Sequence, residues 1–360
     1  MKQKVYYGFE KLKKIFKNEQ TKNIFLVTGK NSFKKSLALD KLNEILNEKV
    51  NLTHFTSFSP NPKFKEIKNG LKIFKNGNYD LILSVGGGSA IDVAKSIKFF
   101  SKKNIPLVAI PTTAGSGSEA TYFIVFYKNK KKISEGQKDF TLPNYVILDF
   151  NFLKSLPRKI MASAGIDALG QAIESYWSIH STEKSKKYSK KSIKLIINYL
   201  TSAILKKDKK SLKKILMGSH LAGKAINITK TTSCHSIAYP LTSYFEIPHG
   251  HAVGLTLGEM LKFNFGVSKK NCLDKRGENY VKKTIFQLSK ILGKNDPNEA
   301  SEKIHFFLKE IGLENKLSNL GLKKKDLKII LKNGFNPKRM ENNPRKITKN
   351  DLNKILEKIY

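Results

Sequence analysis

The sequence predicts an α/β N-terminal domain built on a parallel sheet, followed by an all-α C-terminal domain. Three observations carry this. Short apolar runs alternate with amphipathic stretches as far as Asp149. Strand signals nearly vanish after Pro157, where long 3.6-periodic stretches take over. Between Asp80 and Lys95 a short apolar run turns through consecutive glycines, Gly86, Gly87 and Gly88, into helix-compatible residues. With 360 residues the chain is long enough for two domains. The boundary is expected near Leu153 to Arg158, giving residues 1–155 and 156–360.

In chain order, Asn23 to Thr28 reads as a strand and Phe33 to Asn47 as an amphipathic helix. His54 to Phe58 reads as a strand ended by Pro60 and Pro62, and Glu66 to Lys75 as a helix. Leu81 to Val85 is apolar enough to be buried on both faces of a parallel sheet. Leu107 to Ile110, Phe123 to Tyr127 and Tyr145 to Asp149 complete the strands. The helical half is read as 160–178, 185–205, 211–225, 251–265, 280–292 and 299–311. The lysine runs Lys128 to Lys132 and Lys323 to Lys325 are expected to be solvated loops.

A formal charge of +38 invites a nucleic-acid reading. The lysines, however, are spread along the whole chain. Arginine, the residue of bidentate base and phosphate contacts, occurs only at Arg158, Arg276, Arg339 and Arg345. No nucleic-acid partner is expected, although the charge still favours anionic substrates. No apolar run is long enough to span a membrane, and the N-terminus lacks the apolar core of a signal peptide. Two cysteines, Cys234 and Cys272, give no disulfide framework, so a cytoplasmic protein is expected.

Two loops point to a nucleotide. Glycines at a strand-to-helix turn let the backbone approach a bulky group, and the helix start favours an anion. Ser89 sits where an N-cap would be. The spacing is not G-x-G-x-x-G, so the sheet is Rossmann-like without the usual fingerprint. The second loop, Pro111 to Glu119, concentrates hydroxyls and glycines after another buried strand, where parallel sheets bind ligands. On the helical side, Asp167, Gln171 and Glu174 share one helix face by their spacing. Asp167, His235 and His249 offer one carboxylate and two imidazoles, a donor set for a divalent metal with an open position.

These four pieces, in this order, resemble the iron-containing alcohol dehydrogenase family over nearly the whole chain. The resemblance implies a dehydroquinate synthase-like architecture, an NADP or NAD cofactor, and a divalent metal, Fe2+ or Zn2+. It implies that Gly86, Gly87, Gly88 and Ser89 meet the pyrophosphate, with Asp92 beside them. Thr112, Thr113 and Ser116 would meet the diphosphate and nicotinamide, and Lys132 joins this cofactor set. Asp167, His235 and His249 would be metal ligands. A homodimer is the family's habit.

The chain departs from the family pattern in three places. Gln171 stands where a histidine ligand is usual, so an amide oxygen would be the fourth donor. Tyr239 stands for a second histidine and would relay a proton or pack. Gly29 stands for an aspartate that repels a ribose 2′-phosphate, and Lys30 and Lys34 follow, which favours NADP.

The stretch from Ala225 to Thr242, with Phe335 to Arg339 and Asn342 to Arg345, resembles the phosphonate-associated branch, the phosphonoacetaldehyde reductases. Lys230, five residues before His235, would contact an anionic substrate group, while Thr231 and Thr232 are placed to cap the next helix. The implied reaction interconverts an aldehyde and a primary alcohol, phosphonoacetaldehyde and 2-hydroxyethylphosphonate, with His249, His235, Lys230 and Tyr239 as catalytic residues. The alternative is a general alcohol, aldehyde or hydroxyacid dehydrogenase of the same family.

Overall fold

The computed structural model describes all residues except 1, 2, 31, 32, 34–37, 47–49, 129 and 130, and only the backbone of 131 and 338. The chain divides into two compact units, Met1–Leu156 and Pro157–Tyr360.

The first unit holds a six-stranded sheet in the order β1-β8-β5-β4-β2-β3. Its strands are β1 (Lys4–Tyr7), β2 (Asn23–Thr28), β3 (Asn51–Phe55), β4 (Leu81–Gly86), β5 (Leu107–Pro111) and β8 (Tyr145–Leu148). All neighbours are parallel. Every residue of β4 is buried, which is why this run carries no polar alternation. Ile24, Leu26, Leu81, Leu83 and Val85 face one core. Phe25, Val27, Ile82, Val93 and Ile97 face the other. The helices are α1 (Lys11–Asn18), α2 (Ala38–Asn43), α3 (Phe64–Lys75), α4 (Gly88–Ser101) and a short α5 (Lys138–Thr141). From β2 the chain steps outward to edge strand β3, then returns to lay β4 on the other side of β2. Strand order therefore reverses between β2 and β4, and the crevice outside their carboxyl ends is where open α/β sheets hold ligands. Both glycine-bearing turns, at Gly29 and Gly86, lie there.

Several expectations are corrected. β1 and α1 carried no recognised strand or helix signal. β1 is a half-exposed edge strand. The second expected strand begins earlier, at Asn51, because edge strand β3 keeps polar, exposed residues. Of the run Lys128 to Lys132, expected as a loop, Lys128 ends β6 (Ile124–Lys128), and Lys131 and Lys132 open β7 (Lys131–Glu135), an antiparallel pair that sets Tyr127 against Lys132; 129 and 130 lie outside the described residues. Lys323 to Lys325 is exposed as expected, with Lys324–Asp326 in a 3-10 turn. Part of the expected helix from Phe33 to Asn47, and Lys34, lie outside the described residues.

The second unit is helical: α6 (Arg158–Trp177), α7 (Glu183–Leu205), α8 (Lys209–Thr229), α9 (Ser233–Phe245), α10 (His249–Phe265), α11 (Glu278–Ile291), α12 (Pro297–Glu310), α13 (Leu327–Asn333), α14 (Pro337–Met340) and α15 (Lys349–Lys358). Helix α9 follows the cap expected at Thr231 and Thr232, but its extent is not legible in the sequence because Pro240 interrupts its interior. Among the described residues no helix is long and apolar enough to cross a membrane.

Buried Glu259 on α10 joins three helices through Lys262, His305 of α12 and Lys358 of α15. Burial works to raise its pKa, but the bonds from His305 and Lys262 and the Lys358 charge hold it down at about 2. A depressed carboxylate stabilises the fold above its unfolded pKa, about 4.3, and that contribution disappears as pH falls through the folded value. Glu259→Gln should therefore be less stable at pH 7 and show a flatter loss of urea midpoint between about pH 4 and pH 2. Superimposable curves for the two proteins would refute this.

Candidate metal centre and dinucleotide site

In the first unit, β4 ends at Gly86, Gly87 is the N-cap of α4, and Gly88 opens that 14-residue helix. The threonine loop lies directly against this turn. The Thr112 N–H donates to Gly86 O at 3.0 Å. A Cβ on Gly87 would lie 3.3 Å from Thr113 Oγ1, and one on Gly88 only 2.5 Å from Ser116 Oγ. A side chain at Gly88 would displace the Ser116 side chain, and one at Gly87 would be tight against Thr113. Gly29 also belongs here, its N–H 3.7 Å from where a Gly86 Cβ would be. The structure thus brings Gly29, Gly86, Gly87, Gly88, Thr112, Thr113 and Ser116 together at the switch point. Ser89, half-buried, accepts a bond from the Asn61 N–H, and Lys30 is exposed.

Asp92, one turn into α4, has its carboxylate engaged by Ser118 Oγ and by Lys95 Nζ at 3.1 Å. Lys95 is fully buried. Its ammonium also donates to the carbonyls of Ser118, Thr121 and Phe123. Burial pushes Asp92 up and Lys95 down, and their mutual attraction opposes both. Lys132, on β7, adds its positive charge to the field at Asp92. The sequence reading passed over Lys95, because one lysine among so many carries no signal until its burial is known. It fixes the 118–123 segment that ends the threonine loop. Lys95→Met should cost about 3–5 kcal/mol by leaving Asp92 buried without its cation. Adding Asp92→Asn should recover much of that in chemical denaturation, and purely additive losses would contradict the pairing.

In the second unit, Asp167, Gln171 and Glu174 are all buried on α6. Gly250 lets α10 press against α6, since a Cβ there would lie 1.9 Å from Ser163 O and 2.8 Å from Asp167 Cβ. That contact places neighbouring His249 beside Asp167. Donor atoms of Asp167, His235 and His249 all lie within 4.8 Å of one another. His235 Nε2 is 3.3 Å from Asp167 Oδ1, and the His235 and His249 rings meet edge to face at 5.6 Å. Tyr239, one turn after His235 on α9, stacks on His249 at 5.9 Å between ring centres. Gln171 follows Asp167 by one turn of α6, so an amide oxygen is available on the same face.

Glu174 organises this centre. It accepts from Thr232 Oγ1 at 2.6 Å and the Cys234 N–H at 2.8 Å, and it pairs with His235 Nδ1. Thr232 does not cap α9 with its hydroxyl, as the sequence suggested. It gives its proton to Glu174 and accepts from Trp177 Nε1 at 3.0 Å. With Nδ1 committed, His235 turns Nε2 toward Asp167, and that nitrogen makes no hydrogen bond among the described residues. Burial alone would lower the His235 pKa, but Glu174 and Asp167 overcome it and hold it up to about 9. Glu174 is correspondingly held down by His235 against burial. A cluster of one carboxylate and two imidazoles, two of the three buried, with this preference for positive charge fits a divalent cation. Cys234 is buried with its thiol pKa pushed up, which suits packing and not nucleophilic work. Lys230 lies at the end of α8 with an exposed side chain.

The chain matches iron-containing alcohol dehydrogenase over residues 3–150 and the C-terminal region of the same family over residues 161–360. It belongs to the iron-containing alcohol dehydrogenase family and is an aldehyde/alcohol oxidoreductase. The family works with NAD(P) and iron or another divalent metal. Alcohol dehydrogenase 4 of Saccharomyces cerevisiae is 28% identical, over 96% of this chain and 92% of that protein. The phosphonoacetaldehyde reductase of Streptomyces viridochromogenes is 29% identical, over 77% of this chain and 75% of that one. Among solved structures, sulfoacetaldehyde reductase from Bifidobacterium kashiwanohense in complex with NAD+ is similar at a TM-score of 0.87 and 28% identity, covering 99% of this chain and 96% of that chain.

Glu174→Gln removes the charge that orients His235 while keeping its size. Losing a group that orients a metal ligand in this way costs about 10- to 100-fold in metal affinity. A loss of that order should appear in chelator competition with the far-ultraviolet circular dichroism unchanged. Wild-type affinity in the variant would refute the role.

Proposed function

We propose that this enzyme reduces phosphonoacetaldehyde to 2-hydroxyethylphosphonate with NADPH. The observation that carries the oxidoreductase chemistry is the convergence of Asp167, His235 and His249 in one cluster, the first two buried and His249 half-buried. The anionic substrate is supported by Lys230, five residues before His235, by the excess of positive charge, and by the phosphonoacetaldehyde reductase among the relatives. NADPH is favoured over NADH because Gly29 puts no carboxylate at the end of β2 and exposed Lys30 follows it.

Each group has a role in this reading. Asp167, His235 and His249 hold a divalent ion, with Gln171 offering its amide oxygen. Bound there, the ion supplies electrophilic polarisation of the aldehyde oxygen. The N–H groups of Gly87, Gly88 and Ser89 and the start of α4 hold the cofactor's diphosphate, beside Thr112, Thr113 and Ser116. Lys132 adds positive charge near Asp92, which pairs with Lys95 to keep the helix and loop in register. With the ion bound, Glu174 would keep the His235 proton on Nδ1 and leave the Nε2 lone pair to the metal. Tyr239 stacks on His249 and steadies its ring. The cofactor, when bound, would supply the hydride, and Tyr239 Oη or water would supply the proton that completes the alcohol.

The sulfoacetaldehyde reductase neighbour favours a second reading, in which a sulfonate takes the place of the phosphonate. NADPH oxidation with phosphonoacetaldehyde, sulfoacetaldehyde and acetaldehyde separates the readings. The phosphonate substrate should exceed acetaldehyde at least tenfold in kcat/KM, equivalent to about 1.4 kcal/mol. Chelator treatment should abolish turnover, and added Fe2+ or Zn2+ should restore it. Equal rates on the three aldehydes would remove the anionic-substrate assignment.

A further inference from the structure

We propose that Arg339 is a specificity-determining residue, the receptor, with Lys230, for the tetrahedral oxyanion at the far end of the substrate. This rests on the reading of an anionic aldehyde given above. Arg339 lies on α14, more than a hundred residues after Lys230 in sequence, yet its Nη1 donates to Thr231 Oγ1 at 2.8 Å. Thr231 directly follows Lys230 and directly precedes Thr232, the residue that bonds Glu174 in the metal centre. His235 comes four residues after Thr231, with α9 beginning between them at Ser233. On this reading a short aldehyde would have its carbonyl at the metal centre and its anion at the guanidinium.

The contact is no loose surface encounter. Residues 334–343 are strapped to residues 231–236 by several bonds. Asn342 Nδ2 donates to Thr231 O at 3.0 Å, and Ser233 Oγ donates to Asn343 Oδ1 at 3.1 Å. Ser236 Oγ donates to Gly334 O and accepts from the Asn336 N–H. Lys230 itself has φ +60°, ψ −179°, a backbone conformation that side chains avoid. Such outliers persist only where the surroundings impose them.

The chemistry of Arg339 points the same way. The chain carries four arginines among 67 basic residues. Arg158 is exposed at the start of α6, and the other three put the planar fork against partners. Arg276 has its fork taken by Asp274 and by the carbonyls of Ser178, Ile179 and Ser181. Arg345 lies over the Phe263 ring and donates to the Phe263 carbonyl. Arg339 is half-buried. No carboxylate lies within ion-pair distance of it among the described residues, and the Thr231 bond uses one of its five donors. A guanidinium anchored at one nitrogen, with the remaining donors uncommitted, suits bidentate capture of phosphonate or sulfonate.

The test is steady-state kinetics of the full-length, metal-loaded enzyme with phosphonoacetaldehyde and with propionaldehyde, for wild type, Arg339→Gln and Arg339→Lys. Ethylphosphonate and ethanesulfonate serve as dead-end inhibitors that distinguish the two anions. Arg339→Gln should raise KM for phosphonoacetaldehyde about 10- to 100-fold and weaken inhibition by the preferred anion to match. Its kcat, and both parameters for propionaldehyde, should stay within about threefold. Arg339→Lys should recover part of the loss, and it decides the matter if the glutamine variant does not fold. Equal losses on both aldehydes would show a purely structural clamp, and an unchanged KM would show no contact; either overturns the assignment. A wild type indifferent to the anion removes the underlying substrate reading and this assignment with it, an outcome visible before any variant is made.

Discussion

Burial of the Glu174 carboxylate is the constraint on which the helical unit's chemistry depends. An ionised carboxylate in a protein interior is tolerated only when its lone pairs are occupied. Here the occupants come from one short segment, Thr232 to His235, lying 58 to 61 residues further along the chain. Satisfying the charge therefore fixes the path between α8 and α9 and the orientation of the His235 ring. It also sets the direction in which the free ring nitrogen points. Trp177 closes the arrangement by donating to the same Thr232 hydroxyl. Small residues complete it from the other side, because only a glycine at position 250 allows α10 to reach α6.

The α/β unit solves a similar problem with the opposite sign. Lys95, buried without exposure, gathers one carboxylate and several carbonyls from a segment that would otherwise leave them unpaired. In each unit one buried charge on a helix holds a loop beside candidate ligand-binding groups. The preorganisation resides in these ions more than in the loops, whose hydroxyls and glycines are locally permissive.

How much of this was legible in the sequence follows from what kind of signal each part emits. The strands β2, β4 and β5 announce themselves because burial on both faces demands continuous apolar runs. The glycine turn is legible because Gly88 has a steric reason to lack a side chain. Asp167, His235 and His249 stand out by residue type in a helical background. Edge strands β1 and β3 are written in half-exposed residues and read weakly, and α9 is masked by Pro240. The role of Glu174 was out of reach: its spacing from Asp167 shows a shared face, but its partners are defined only by tertiary contact. Arg339 was visible as part of a resembling stretch, while its placement on Thr231 required the fold.

The charge count shows where sequence reasoning weighs things wrongly. Summed over the chain, lysine suggests a polyanion partner, yet solvated lysines on separate helices are screened from each other over about a Debye length, roughly 8 Å at physiological salt. Desolvation sorts them. Lys98, buried against Asn144 and the Phe140 ring, has its pKa lowered by burial to about 8. Lys95 is tied to Asp92, and Lys230 is singled out by its backbone and not by its charge. The cations that bear on function are those for which the fold has either removed water or imposed geometry. For a small anionic substrate, a few such groups matter more than the total, because a charge-assisted bond made in a partly dehydrated pocket outweighs many distant, screened ones.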